Sequence, residues 1–380
     1  MANNRIYYPM QQVSFRKPGS AASGAVAAHG VQSVAITTTF NLEQAFELGQ
    51  LAIYENIEGI PDVEITMSKV LDGYPLLYCL AAASTASGTD LAGPQLAKRA
   101  PAETIVNLGI FSETQESSTG TPQQYVEMSG VTVSSISYNF PLEDNFSEDI
   151  TLAGNNKIWG TYSDTECTAP FSVTGVSGQF NNQDAPIGSG GINRRENMIF
   201  ATNAGQADDA DYTKLPNDIV GVAGGIKSGV AHVSSITVST DLAREDLFEL
   251  GSRSPYAKTV TFPVEVTCDI EVTSTDGDLV NAIDDCGSDT ACVTPSNLTD
   301  QEIRIATCEG TRIYLGNKNK LSSVSYGGGD AGGGNVTVTY SYQTFNDFTV
   351  LHSGDTYNNQ GATWWASRSG YLGASTQGTA

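Results

Sequence analysis

Apolar and polar residues alternate with period two along much of the chain. Val264, Val266, Cys268, Ile270 and Val272 interleave with Glu265, Thr267, Asp269 and Glu271, the signature of a strand buried on one face. Val336, Val338, Tyr340 and Tyr342 interleave with Thr337, Thr339 and Ser341 in the same way, as do Ile136, Tyr138 and Phe140, and on a shorter scale Ile303 and Ile305. In the first half Val63, Ile65 and Met67 alternate with Glu64, Thr66 and Ser68. The Gly-rich tract Gly327–Gly334 lies between two such runs and predicts a hairpin tip. Helical spacing is scarce. It predicts two short helices, Asn41–Leu48 and Asp241–Leu250, each opening on a residue that can cap and closing before Gly49 or Gly251.

The pattern occurs twice. Sliding residues 29–61 onto 231–263, an offset of 202, superposes Ser33, Thr38, Glu43, Phe46, Glu47, Leu48, Gly49, Tyr54 and Pro61 on identical residues, from Ser235 to Pro263. A second block recurs as Ser134–Tyr138 and Ser322–Tyr326. A period this long marks a duplicated unit, because solenoid repeats run about 20–50 residues. The alternation after Pro61 is one residue out of step with the alternation after Pro263. A one-residue slip turns every side chain to the opposite face, so a single-residue insertion beside Pro61 is expected. The reading is mainly β: two tandem antiparallel β-sandwich or barrel domains, each with one short helix. The domains span residues 1–185 (with an N-terminal arm) and 231–380, and residues 186–230, rich in Gly, Pro, Asn and Asp, form a linker.

The matched residues Phe46, Glu47, Leu48, Gly49 and Pro61, with Phe248, Glu249, Leu250, Gly251 and Pro263, are expected to be structural. Phe and Leu would sit in the core, with Gly ending the element. A helix end accounts for these but not for the matching Glu47 and Glu249, which point to a shared interface.

With 42 acidic and 19 basic residues the net charge is −23. No Lys/Arg cluster is present to neutralise nucleic-acid phosphates. The excess serves solubility, or makes a surface that DNA passes without sticking. The longest apolar run, Pro75–Ala83, is far shorter than the roughly 20 residues of a membrane span, and no secretory signal is expected from the first residues. Six cysteines, none in CxxC spacing, suit free thiols better than a disulfide scaffold, although Cys286 and Cys292 could bridge.

Candidate chemistry is thin. His29, His232 and His352 have no neighbours at metal-ligand or catalytic spacing. No nucleophile elbow is present, and no Gly-Lys-Ser/Thr follows the Gly-rich tract. The acidic clusters at Asp208, Asp209 and Asp211 and at Asp284, Asp285 and Asp289 lack the full calcium-loop pattern. Trp364–Trp365 suits glycan stacking or tail anchoring equally. No catalytic residue, cofactor or metal site is expected.

The segment Leu242–Val272 (LAREDLFELGSRSPYAKTVTFPVEVTCDIEV) resembles the tail tube proteins of large tailed bacteriophages, and Phe40–Tyr78 looks like the same element. Gly191–Val222 and Thr311–Tyr342 fit the resemblance too, so that it covers more than half of the chain. The resemblance implies a structural virion protein, assembled in the host cytoplasm, whose rings stack into a tube around a channel for double-stranded DNA. A chain carrying two such domains would need three copies for a pseudo-hexameric ring. Implied partners are the chain itself, the tape measure, tail terminator and baseplate or tail-tip proteins, and a sheath where the tail contracts. Candidate lumen-facing residues are Glu64, Glu265, Asp269 and Glu271; alternation shows that they share a face, not which one. Other readings are a tail-end or baseplate ring protein of the same fold, an extracellular β-sandwich adhesin, and a β-rich hydrolase.

Overall fold

Strands form where the alternation places them. The computed structural model describes residues 5–16, 18, 25–49, 51, 53–82, 103–111, 122–161, 191–201, 212–216, 219, 232–242, 244–252, 255–273, 277, 280, 300–329 and 334–352. In chain order the first strands are β1 (Gln11–Arg16), β2 (Val26–Ala27), β3 (Val31–Thr39), β4 (Leu42–Phe46), β5 (Ile53–Glu58) and β6 (Asp62–Val70). A short helix, α1 (Leu77–Ala81), precedes β7 (Thr104–Ile110), β8 (Gln124–Pro141), β9 (Ser147–Gly154) and β10 (Ile158–Thr161). The second half adds β11 (His232–Asp241), β12 (Arg244–Leu247), β13 (Ala257–Val260), β14 (Glu265–Thr273) and β15 (Arg304–Ala306). It continues with β16 (Thr311–Tyr314), β17 (Lys320–Gly327), β18 (Thr337–Phe345) and β19 (Thr349–His352).

Eight strands make the main sheet, in the order β3-β6-β9-β8-β11-β14-β18-β17, with every ladder antiparallel. The first half supplies the first four and the second half the last four, so one sheet spans both. The long β8 leaves this sheet at its N-terminal end, where it pairs with β7 and β10, and β1 and β2 extend that layer.

The two halves correspond in register. β3 pairs β6 with Val34 opposite Met67, and β11 pairs β14 with Ile236 opposite Ile270. The offset is thus 202 on the first strand and 203 on the second. The hairpin between them keeps 202: Leu42 faces Glu58 as Arg244 faces Val260. The extra residue therefore belongs to the second half, between Val260 and Glu265, at the point of the alignment where an insertion beside Pro61 was expected. Bulges recur at matching places as well, between Val31 and Ser33 and between Val233 and Ser235, then between Val133 and Ser135 and between Leu321 and Ser323. A bulge inserts one unpaired residue and bends its strand, so shared bulges mean shared curvature.

One face of the main sheet is apolar and buried: Val63, Ile65, Met67, Ile136, Tyr138, Ile150, Leu152, Ile236, Val238, Val266, Ile270, Tyr340 and Tyr342. It belongs to a single apolar cluster with Phe15, Val106 and Met128 of the β1–β7–β8 layer, with α1, and with Ile305, Ile313 and Val350 of the small β15–β16–β19 sheet. Layers packed over one face make a sandwich.

Both predicted helices are corrected. Asn41–Leu48 and Asp241–Leu250 hold strands β4 and β12, each paired in a two-stranded sheet with β5 or β13. Gly49 and Gly251 adopt φ of 92° and 93°. They are turn residues that admit the left-handed conformation, not helix stops. Spacing over eight residues could not separate the two, because short apolar runs fit either period. The α-helix found among the described residues lies instead in the apolar run Pro75–Ala83.

The Gly-rich tract joins β17 to β18 as a hairpin, with residues 330–333 outside the described residues. The described part of 186–230 is not a free linker. Met198 bridges Thr307, Lys214 bridges Arg304, and Leu215 and Ile219 are buried. No helix among the described residues is long and apolar enough to cross a membrane.

Candidate functional site

The polar face of the main sheet carries the chemistry that the alternation sets apart from the core. Across it the polar rows read Ser33, Ser68, Asp149, Ser137, Ser239 and Thr267, and next to them Ala35, Thr66, Thr151, Ser135 and Asp241. All of these residues except Ala35 line an open trough of about 570 Å³ that extends from β3 to β14. A trough over six neighbouring strands means that the sheet curves, with its polar face inside. Hydrogen bonds tie the rows together: Ser239 Oγ to Thr267 Oγ1 at 2.7 Å, Asn139 Nδ2 donating to Asp149 at 2.9 Å, and Ser235 Oγ donating to Glu271 at 3.2 Å.

This face is acidic. Glu64, Asp149, Asp241, Glu265, Asp269 and Glu271 all lie on it, and the one Lys or Arg among its paired positions in the described residues is Lys320, at the start of β17. The four residues singled out from the sequence, Glu64, Glu265, Asp269 and Glu271, therefore share a face across both halves. Asp149 escaped notice because β9 carries no long alternating run of apolar residues around it.

The repeat-matched apolar residues behave otherwise. Phe46, Leu48, Phe248 and Leu250 were expected in the core, and all four are exposed. Their hairpins, β4–β5 and β12–β13, are separate two-stranded sheets; β4–β5 is almost wholly exposed, whereas β12–β13 is partly buried, with Val260 against the core. Leu51, Tyr54, Ile57 and Tyr256 are exposed on them too. Glu47 and Glu249 occupy equivalent places between strand and turn, while Pro61 and Pro263 stand where the chain returns to the sheet. β3 and β11 run in the same direction in the sheet, so both hairpins leave it at the same end.

Buried charges, missed in the sequence, stabilise the first half. Glu148 is wholly buried and accepts hydrogen bonds from the amides of Leu77 (2.6 Å) and Tyr78 (2.9 Å) and from the Tyr138 hydroxyl (2.8 Å). It thereby satisfies donors that α1 leaves free at its start. Burial raises its pKa against these bonds. Lys69, also buried, donates to Asp72 (2.5 Å) and to the His29 carbonyl (2.6 Å), and burial lowers its pKa. His29 Nδ1 lies 2.6 Å from Asp72, and its ring stacks on Tyr74. Burial would raise the Asp72 pKa; His29 and Lys69 together hold it below the usual value. Arg16 meets Glu127 at 3.0 Å, yet burial pushes Glu127 up to about 7. His352 is buried and held down to about 3 by burial and by the charge of Lys69. These charges were illegible in sequence because nothing local marks a charged residue as buried.

His232 is exposed at the start of β11. Cys79 and Cys268 are buried free thiols and Cys308 is an exposed one. Cys167, Cys286, Cys292, the two Asp clusters and Trp364–Trp365 lie outside the described residues. Among the described residues no three His, Cys, Asp or Glu side chains are placed to hold a metal ion.

No protein-family model matches the chain, and no curated protein does. Among solved structures it is similar to the tube-terminating cap of the anti-feeding prophage, at 13% identity over 42% of this chain and 94% of that one, with a TM-score of 0.29. It is similar to a chain of the sheath–tube complex of an extracellular contractile injection system, PVC, in the extended state, at 12% identity over 42% and 94%, TM-score 0.29. A third match is to a chain of the anti-feeding prophage baseplate, at 8% identity over 43% and 100%, TM-score 0.29.

Proposed function

We propose that this chain is a structural subunit of a phage-type tail tube, with three copies closing into a ring around a bore. The observation that carries the reading is the main sheet itself: a four-strand unit repeated once, curved, and acidic on its inner face. Repetition within a chain extends to repetition between chains when the ends of the sheet are alike, and closing a sheet removes its exposed edges.

The stagger of the sheet supports a barrel of this kind. The row through Ser33 of β3 reaches Ser239 of β11, whose repeat partner on β3 is Thr37. Each four-strand unit therefore advances about four residues. With a rise of ~3.4 Å per residue and a strand spacing of ~4.8 Å, the strands tilt by about 35° in any closed ring. Two copies would give a backbone diameter of about 30 Å and three about 45 Å, on the same spacing. Inward side chains take up about 5 Å on each side, half the spacing of packed sheets. Three copies leave free passage for a DNA duplex and two do not.

The acidic face then lines the bore, where Glu64, Glu265, Asp269 and Glu271 repel phosphates and keep the duplex mobile. The twin hairpins, with apolar residues exposed at the same end of the sheet, stack one ring on the next. In this reading the chain has no enzymatic role, and tape measure, terminator and baseplate proteins meet it at the tube's interior and ends.

Electron microscopy of the purified protein, with mass measurement of the particles, tests the proposal. Hollow rings or cylinders with three chains per layer are expected. A monomer at all concentrations, or rings of six chains, would overturn it.

A further inference from the structure

The open edges of the main sheet have a template inside the chain. Among the described residues β3 pairs only with β6, and β17 only with β18. By the repeat, β3 corresponds to β11 and β17 to β8, and β8 pairs with β11 in the middle of the sheet. The two free edges are thus second copies of two strands that already pair with each other.

Exposure shows what is missing at the free edges. Tyr138 of β8 is 0% exposed, while its counterpart Tyr326 is 53% exposed. Leu242, just after β11, is 0% exposed and its counterpart Phe40 is 71% exposed. Ile236 and Val238 are buried where Val34 and Ile36 are only partly so. Large apolar residues on an unpaired edge invite another chain, and here they keep the residue classes of the internal junction.

We infer that β17 of one copy pairs antiparallel with β3 of a second copy, in the register of the internal junction. There Val238 faces Tyr138 and Ser239 faces Ser137. Carried over by the repeat, Ile36 faces Tyr326 and Thr37 faces Ser325. The Leu242 amide donates to the Ser134 carbonyl at 2.6 Å; in the new junction the Phe40 amide donates to the Ser322 carbonyl and the ring folds onto the core. One difference is built in. Arg244 Nε donates to the Val133 carbonyl across the internal junction, and Leu42 stands at the matching place, so the junction between copies is the more apolar of the two.

This pairing rests on the tube reading but has a test of its own. Directly opposed residues bring their Cβ atoms within disulfide reach, whereas partners two residues off stand roughly 7–8 Å apart. Thr37→Cys combined with Ser325→Cys should give disulfide-linked dimers and trimers in assembled particles under mild oxidation. Either single variant, or Thr37→Cys with Ser323→Cys, should give at least ten-fold less. Ser137→Cys with Ser239→Cys is the positive control and links within one chain. Particles that assemble but link equally in the shifted pair, or in neither, overturn the register and leave the tube standing. Protein that never assembles overturns both.

Discussion

The two halves of this chain build the same four strands with the same bulges, yet they fill one equivalent position in opposite ways. In the first half Lys69 on β6 faces Glu148 on β9, both buried; in the second half Val272 faces Val338, also both buried. A strand position on the core face tolerates charge only where partners are supplied. The first half supplies them: Asp72 and the His29 carbonyl for Lys69, the start of α1 and Tyr138 for Glu148. The second half needs none. Sheet geometry is therefore indifferent to the chemistry of this pair, and what the charges add is the attachment of the Leu71–Ala82 segment to the sheet.

The largest expected effect breaks that contrast. Glu148→Ala strands three buried donors, the amides of Leu77 and Tyr78 and the Tyr138 hydroxyl, and removes a negative charge near Lys69, which keeps Asp72. It should lower the free energy of unfolding by about 3–5 kcal/mol, as removal of one partner from a buried charged set does. Val338→Ala, at the equivalent place, should cost about 2 kcal/mol, since it deletes only packing. Urea unfolding measures both; equal losses would show that Glu148 holds nothing that a valine does not. Lys69→Val with Glu148→Val copies the second half, and should cost less than the sum of its single changes by about 1–3 kcal/mol.

A smaller effect depends on pH. His352 has a folded pKa of about 3, below its unfolded value of 6.5. The unfolded chain therefore binds more protons, and the stability is present above pH 6.5 and lost as pH falls toward 3, by about 1.4 kcal/mol per unit. Glu127 acts the other way: with its pKa raised from 4.5 to about 7, the stability it contributes is present below pH 4.5 and lost as pH rises through 7. Between pH 4.5 and 6.5 the two oppose each other. His352→Gln should make stability fall more steeply with rising pH in that window, and Glu127→Gln should make it rise. No change of slope in either variant would mean that these groups titrate normally.

The smallest effect concerns what the halves share. Phe46→Ala and Phe248→Ala should each change the stability of the unassembled chain by less than about 0.5 kcal/mol, as exposed substitutions do. A loss above about 1.5 kcal/mol in either would mean that its hairpin is covered within the chain.

Much of the fold was legible before any coordinates. Alternation announced β6, β14 and β18, and the parity slip located a one-residue offset between the halves beside Pro61 and Pro263. Both follow from the strict period of two of a strand with one buried face. The common face of Glu64, Glu265, Asp269 and Glu271 was half legible: alternation grouped residues within a strand, and only strand pairing could place two strands' polar sides together.

Other features were decided by tertiary structure alone. Segments 41–48 and 241–250 suit a helix as well as a strand by spacing, and cross-strand pairing to β5 and β13 settled the choice. Burial of Phe46 or Phe248 depends on whether a second layer exists, which local sequence does not encode. The burial of Lys69 and Glu148 against the exposure of Tyr326 and Phe40 has the same origin. Sequence fixes which residues share a face; the partners that close over that face come from distant parts of the chain, or from another copy of it.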